Sequence, residues 1–193
     1  MTAPRSPEPV PPAPEGAVPY KHPGAQVYRC RDCTHLLDEH WLDVLFDEMD
    51  ATGADAISAV VPIKTHEGLT STAIGSMETG NLTWKRLTLR DVFKLPETFC
   101  IDDTPWADKI LLINTGCLLI NLQGSWVKEW VLGGGFRLES RIVETEPGEY
   151  LATTSPEDWL MSLDMHRMGA KTAATRKVKL EHNGSFNYTN RVT

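Results

Sequence analysis

Residues 109–123, KILLINTGCLLINLQ, constrain the fold most. The apolar side chains come in two short runs with no helical spacing, and Asn114, Thr115 and Gly116 interrupt them. The pattern predicts two short strands, or one strand with a bulge at Gly116. Residues 54–64, ADAISAVVPIK, form a second run of small and β-branched residues. Near-continuous apolar runs suit strands covered on both faces, so both segments are expected to be central and buried in a sheet. Neither run approaches the roughly 20 residues that a membrane span requires, and none is expected.

The other segments supply partners for such a sheet. Residues 38–52 carry Trp41, Leu42, Leu45, Phe46 and Met49 at helical spacing, with Gly53 as a stop signal. Residues 68–80 are rich in Gly, Ser and Thr, which predicts a loop with a short strand. TWKRLTL, residues 83–89, alternates like a half-exposed strand. SWVKEW, residues 125–130, reads as a short helix, and Gly133, Gly134 and Gly135 as a flexible turn without the spacing of a phosphate loop. A helix over 156–168 stops at Gly169, and TAATRKVKLEH, residues 172–182, reads as a closing strand bearing Arg176, Lys177 and Lys179. Alternating helices and strands give an α/β class with a mixed sheet.

Eight of the 13 prolines fall within the first 23 residues. Residues 1–24 therefore read as an extended or disordered arm, a tether or a ligand for an SH3-like partner through its PPAP run. The α/β domain is expected over 25–193. A net charge of −7 argues against strong non-specific nucleic-acid binding. The N-terminus lacks the plan of a secretory signal, and the four cysteines show no disulfide framework, so the cytoplasm is the default location. Cys30 and Cys33 make a lone C-x-x-C without the second ligand pair of a zinc site.

The segment 155–171, SPEDWLMSLDMHRMGAK, poses the functional question. Ser155 suits an N-cap, Pro156 the first helical position, and Glu157 and Asp158 a first turn where carboxylates gain from the helix dipole. The same two acids, held rigidly at a helix mouth, suit proton transfer.

Taken in order, ATGADAISAVVPIK, LTSTAIG, LLINTGCLLINL and PEDWLMSLDMHRMGAKTAATRKVKLEHNG resemble the small GT-A-type glycosyltransferases of bacteria and phages, related to family 2. The resemblance covers roughly 38–190. It implies a Rossmann-like mixed sheet flanked by helices, and transfer of a sugar from a nucleotide-sugar donor to a hydroxyl on a glycan, a protein or a modified base. It also implies a divalent metal, Mn²⁺ or Mg²⁺, held by an Asp-x-His motif at Asp38 and His40 and completed by His182 late in the domain. PEDW looks like the family's acid pair, with Asp158 as general base, Glu157 orienting the acceptor and Trp159 offering a ring face to a sugar. Asn114, Thr115 and Gly116 match the turn that lines donor or acceptor, and Arg176 could neutralise diphosphate.

Only 37 residues precede Asp38, so the family's N-terminal nucleotide-binding units are expected to be shortened or missing. Two function classes follow. One is a metal-dependent transferase, complete in itself or completed by a partner chain or a second copy. The other is a degenerate, non-catalytic GT-A-like binding or assembly protein.

Overall fold

The computed structural model describes residues 35–37, 40–65, 67–77, 82–183 and 187–190; for 35–37, 143, 145, 153, 182, 183, 187 and 188 it describes the backbone alone. The elements run β1 (His35–Leu37), α1 (Trp41–Thr52), β2 (Ala56–Ala59), β3 (Leu69–Ser76), β4 (Thr83–Thr88), α2 (Leu89–Val92), β5 (Thr98–Cys100), β6 (Ile110–Leu112), β7 (Leu118–Ile120), α3 (Val127–Leu132), β8 (Glu139–Glu146), β9 (Glu149–Ser155), α4 (Glu157–Arg167), β10 (Thr172–Thr175), β11 (Leu180–Asn183) and β12 (Asn187–Thr189). The class is mixed α and β, with several small sheets and few helices. The expected arm, 1–24, lies outside the described residues.

The organising sheet has the order β5-β10-β2-β7. β2 and β10 are parallel, and β5 and β7 flank them antiparallel. Alternation along β2 sends Ile57, Ala59 and Val61 toward Leu45 and Met49 of α1, and Ala56 and Val60 toward Met161 and Met165 of α4. All four β2 residues are buried, as the run over 54–64 predicted. α1 ends where Gly53 turns left-handed (φ 62°), and Ala54 N–H donates back to Met49 O at 3.2 Å.

A second, antiparallel sheet has the order β4-β3-β6. It joins the first where Ser71 N–H donates to Val61 O at 2.8 Å and Ile63 N–H to Leu69 O at 3.0 Å. α4 lies between the two sheets. Trp159, Leu160 and Leu163 pack on Ala73, Ile110 and Leu112 of the second sheet, while Met161 and Met165 face the first. Residues 159–165 are consequently all buried, more than a one-sided amphipathic helix would bury.

Several elements depart from the sequence reading. The 109–123 stretch is two strands, and they belong to different sheets: β6 and β7 each form an edge, so neither is central. β3 is an eight-residue strand where Gly, Ser and Thr suggested a loop with only a short strand. Its hydroxyls explain the difference: Thr70 Oγ1 donates to Leu87 O at 2.8 Å and Ser71 Oγ to Val61 O at 3.0 Å, so small polar residues are satisfied inside the sheet. The closing strand over 172–182 is broken at Arg176 into β10 and β11, which join different sheets; β11 pairs with β1 and β12. The hairpin β8–β9, which no sequence reading assigned, turns at Pro147–Gly148.

Candidate functional site

Residues 155–159 differ locally from the expected cap. Ser155 ends β9, paired with Glu139, and Pro156 is the N-cap with extended backbone (φ −69°, ψ 154°). Pro156 cannot extend the β8–β9 ladder as a donor, and its carbonyl accepts from Leu160 N–H at 3.1 Å. With no side chain able to cap at Pro156, the first-turn acids take over. Asp158 Oδ1 accepts from the N–H of Trp159 at 2.9 Å. Capping is therefore performed by the same carboxylate that the sequence nominated for chemistry.

Burial pushes the Asp158 carboxyl up to about 6. The amide of Trp159 opposes that rise, the negative charge of Glu157 adds to it, and the Arg86 guanidinium opposes it through space. Ser162, one turn on, donates to Asp158 O at 2.9 Å and accepts from Ile113 N–H at 3.0 Å. The start of α4 is thus fastened to the strand that precedes Asn114.

β4 supplies the other wall. Trp84 and Arg86 are two residues apart on one strand and face the same way. The Arg86 guanidinium lies 4.4 Å from the centroid of the Trp159 ring, and its Nη1 donates to Thr70 O at 3.2 Å. Burial lowers the Arg86 pKa, and the Asp158 carboxylate partly restores it. Trp84 meets Trp159 edge to face, with centroids 5.0 Å apart and planes at 61°. Trp159 itself is 1% exposed, and its Nε1 donates to Ser71 O at 3.3 Å. Its ring is covered by protein, and the indole open to a ligand is that of Trp84, 39% exposed. β4 thus sets Arg86 and the open indole of Trp84 against Trp159, with the Asp158 carboxylate within the field of the guanidinium.

The remaining candidates are dispersed. Asn114 is 3% exposed; its Nδ2 donates to Ala59 O at 2.8 Å and Ser58 Oγ at 3.3 Å, and its Oδ1 accepts from Gly116 N–H at 3.0 Å. That amide pins the β6–β7 connection onto β2, while Thr115 and Gly116 are exposed. Arg176 is buried, with Nη2 donating to Leu95 O at 3.1 Å and its guanidinium 4.7 Å from the centroid of Phe93. It holds the segment between α2 and β5. Its Nε has no hydrogen-bond partner among the described residues.

For the expected metal ligands, Asp38 lies outside the described residues, and for His182 only the backbone is described. His40 is exposed at the start of α1, with Nδ1 3.7 Å from Asp43 Oδ2. Backbone register does bring the segments together: β1 ends at Leu37, opposite Leu180, and His182 stands opposite His35. Among the described residues no three His, Cys, Asp or Glu side chains gather as a metal site. A depression of about 270 Å³, lined by Asp91, Lys94, Leu95, Pro105 and Trp106, includes none of these candidates.

Trp84 and Arg86 escaped the sequence reading. Their signal was the alternation in TWKRLTL, which puts them on one face, but only the packing of β4 against α4 identifies that face as the one beside Asp158. No protein-family model matches the chain, and no curated protein or solved structure matches it either.

Proposed function

We propose that the chain is a GT-A-like glycosyltransferase that moves a sugar from a nucleotide-sugar donor to a hydroxyl acceptor, with Asp158 as general base. The observation that carries this reading is the partly buried Asp158 carboxyl in the first turn of α4, pushed up to about 6 and within the field of the Arg86 guanidinium, which lies over the neighbouring Trp159 ring. A base near 6 is mostly ionised at neutral pH yet takes a proton more readily than an ordinary carboxylate. In the proposed step the acceptor oxygen forms a bond to the anomeric carbon and its proton passes to Asp158. The bond from that carbon to the donor phosphate oxygen breaks, and the nucleotide leaves with the electron pair. In this reading Glu157 orients the acceptor, and the expected donor-side residues Thr115 and Gly116 are exposed. A Mn²⁺ or Mg²⁺ ion on Asp38, His40 and His182 belongs to the proposal, and the proton transfer above does not pass through it. A cytoplasmic site of action is part of the same reading; among the described residues no helix is long and apolar enough to cross a membrane.

Specific observations favour the second reading, a degenerate binding module. Arg176, the diphosphate candidate, is buried and engaged by Leu95 O and Phe93. Thermal denaturation with a panel of nucleotide sugars, with and without Mn²⁺, separates the two. A donor that binds the native state raises the melting temperature, and mass spectrometry then reports transfer to acceptors. Donor binding with turnover lost in Asp158→Asn supports the transferase. No shift with any donor and no turnover leaves the binding module.

A further inference from the structure

We infer that a second copy of this chain pairs along β9, antiparallel about a two-fold axis at Ala152, so that two β8–β9 hairpins join into one four-stranded sheet. The inference stands apart from the reading of Asp158 as base.

Among the described residues β8 and β9 form a two-stranded sheet of their own. The strands are eight and seven residues long, and Ile142, Tyr150 and Leu151 are 76%, 67% and 53% exposed. Register sets Ile142 opposite Ala152 and Glu144 opposite Tyr150 on one face, and alternation puts Leu151 on the other. Large apolar side chains are thus open on both faces, and a lone two-stranded hairpin is marginal in water. Its root is nevertheless fixed. Arg137, just before β8, donates to Asp164 of α4, and Ser155 leads through Pro156 into α4.

The two edges differ in charge. β8 carries Glu139, Arg141, Glu144 and Glu146, the kind of residue that discourages strand addition. β9 carries a single charge, Glu149 at its first position, followed by YLATTS. A run of that composition, without lysine, arginine or proline, favours pairing with another strand. Its ends fix the register. Pro156 has no N–H to donate, and Gly148 turns away with φ 84°, so the ladder is confined to 149–155. One antiparallel self-pairing uses all seven residues. Ala152 then stands opposite Ala152 of the second copy, Leu151 opposite Thr153, Tyr150 opposite Thr154 and Glu149 opposite Ser155. No acid on β9 faces another, whereas in-register parallel pairing would set Glu149 on Glu149. The edge is self-complementary, as an isologous two-fold contact requires, and this selects a second copy as the occupant. An apolar row then crosses the joined sheet, from Ile142 and Ala152 of one copy to Ala152 and Ile142 of the other.

The test uses the full chain. A strand-edge contact is at the small end of stable interfaces, so sedimentation velocity is run from about 1 to about 200 μM. The wild type should shift toward twice the mass of the chain as concentration rises. Ala152→Lys sets two ammonium groups against each other at the axis and should weaken self-association about tenfold or more, with unchanged circular dichroism showing that the fold is kept. Ala152→Cys provides a second measurement that does not depend on the lysine variant. Paired Cα atoms across an antiparallel ladder lie about 4.5–5.5 Å apart, within disulfide reach, so mild oxidation should link two copies. Tyr150→Cys should not link, because four residues of strand, about 13 Å, separate it from its own counterpart. Wild type oxidised alongside reports on the native cysteines. A wild type that stays monomeric over the whole range overturns the inference. So does a dimer that Ala152→Lys leaves intact, or one in which Tyr150→Cys links as readily as Ala152→Cys.

Discussion

Asp158→Asn separates the two roles of this carboxylate by pH. The ordinary carboxylate value is 3.8, and in the fold the group titrates at about 6, chiefly because burial disfavours its charge. Between those values the native state binds more protons than the unfolded chain, so stability falls as pH rises from about 4 to about 6 and is level above that. At about 1.4 kcal/mol per pH unit the full effect is at most ~3 kcal/mol. Residual solvent contact reduces it to ~1–2 kcal/mol. Asparagine escapes this penalty, and its Oδ1 can still accept from the Trp159 amide. Urea denaturation at about pH 4.5 and about pH 8 should therefore show the variant gaining ~1 kcal/mol relative to wild type at the higher pH. Turnover should move the opposite way, falling two to four orders of magnitude, roughly the worth of a positioned base. Wild-type kcat/KM should climb about tenfold per pH unit below about pH 6, reach half its limit near that value and level off about one unit above it. Parallel pH dependences of stability in the two proteins would refute the assignment of burial as the cause.

Other substitutions test the scaffold. Asn114→Ala removes an amide that bonds Ser58, Ala59 and the Gly116 N–H, and should lower stability by ~2–4 kcal/mol in denaturant titrations. Arg137 donates both of its terminal nitrogens to Asp164, which is 7% exposed. Arg137→Met should therefore destabilise by ~2–4 kcal/mol, and adding Asp164→Asn should recover part of that because no buried charge is left unpaired. Burial pushes the Cys117 thiol up to about 12, so iodoacetamide at about pH 8 should label it only as fast as the chain unfolds, read by mass spectrometry against a urea-treated control.

The sequence made the mixed class and the helices α1, α3 and α4 legible because burial leaves periodic traces, whereas the four-residue α2 is too short to leave one. Leu45 and Met49 face the sheet at the spacing that predicted α1, and β2 is buried as its apolar run implied. Composition misled where polar residues find partners far away in sequence. β3 looked like a short strand within a loop because nothing in LTSTAIG announces that Leu87 and Val61 will accept its hydroxyl protons. Asp164 and Ser162 look like solvent-facing breaks in the apolar face of α4, yet Arg137 and Ile113 satisfy them inside the protein. For the site, Asp158 could be singled out from a local pattern. Its companions Trp84 and Arg86 could not, since 72 residues separate Arg86 from Asp158 and only tertiary packing joins them. The turn at Pro147–Gly148 was a readable hairpin signal that the reading passed over.

The burial of α4 on all sides also governs timescale. A helix wedged between two sheets cannot detach without exposing both interfaces, so its amides should exchange with solvent only through the largest opening events of the domain. The carboxylate at its first turn is thereby anchored to a packed part of the domain. Whatever rearrangement accompanies ligand entry must then fall to β4 at the sheet edge, and the acid meets an incoming group already oriented, with little dipolar reorganisation left to make.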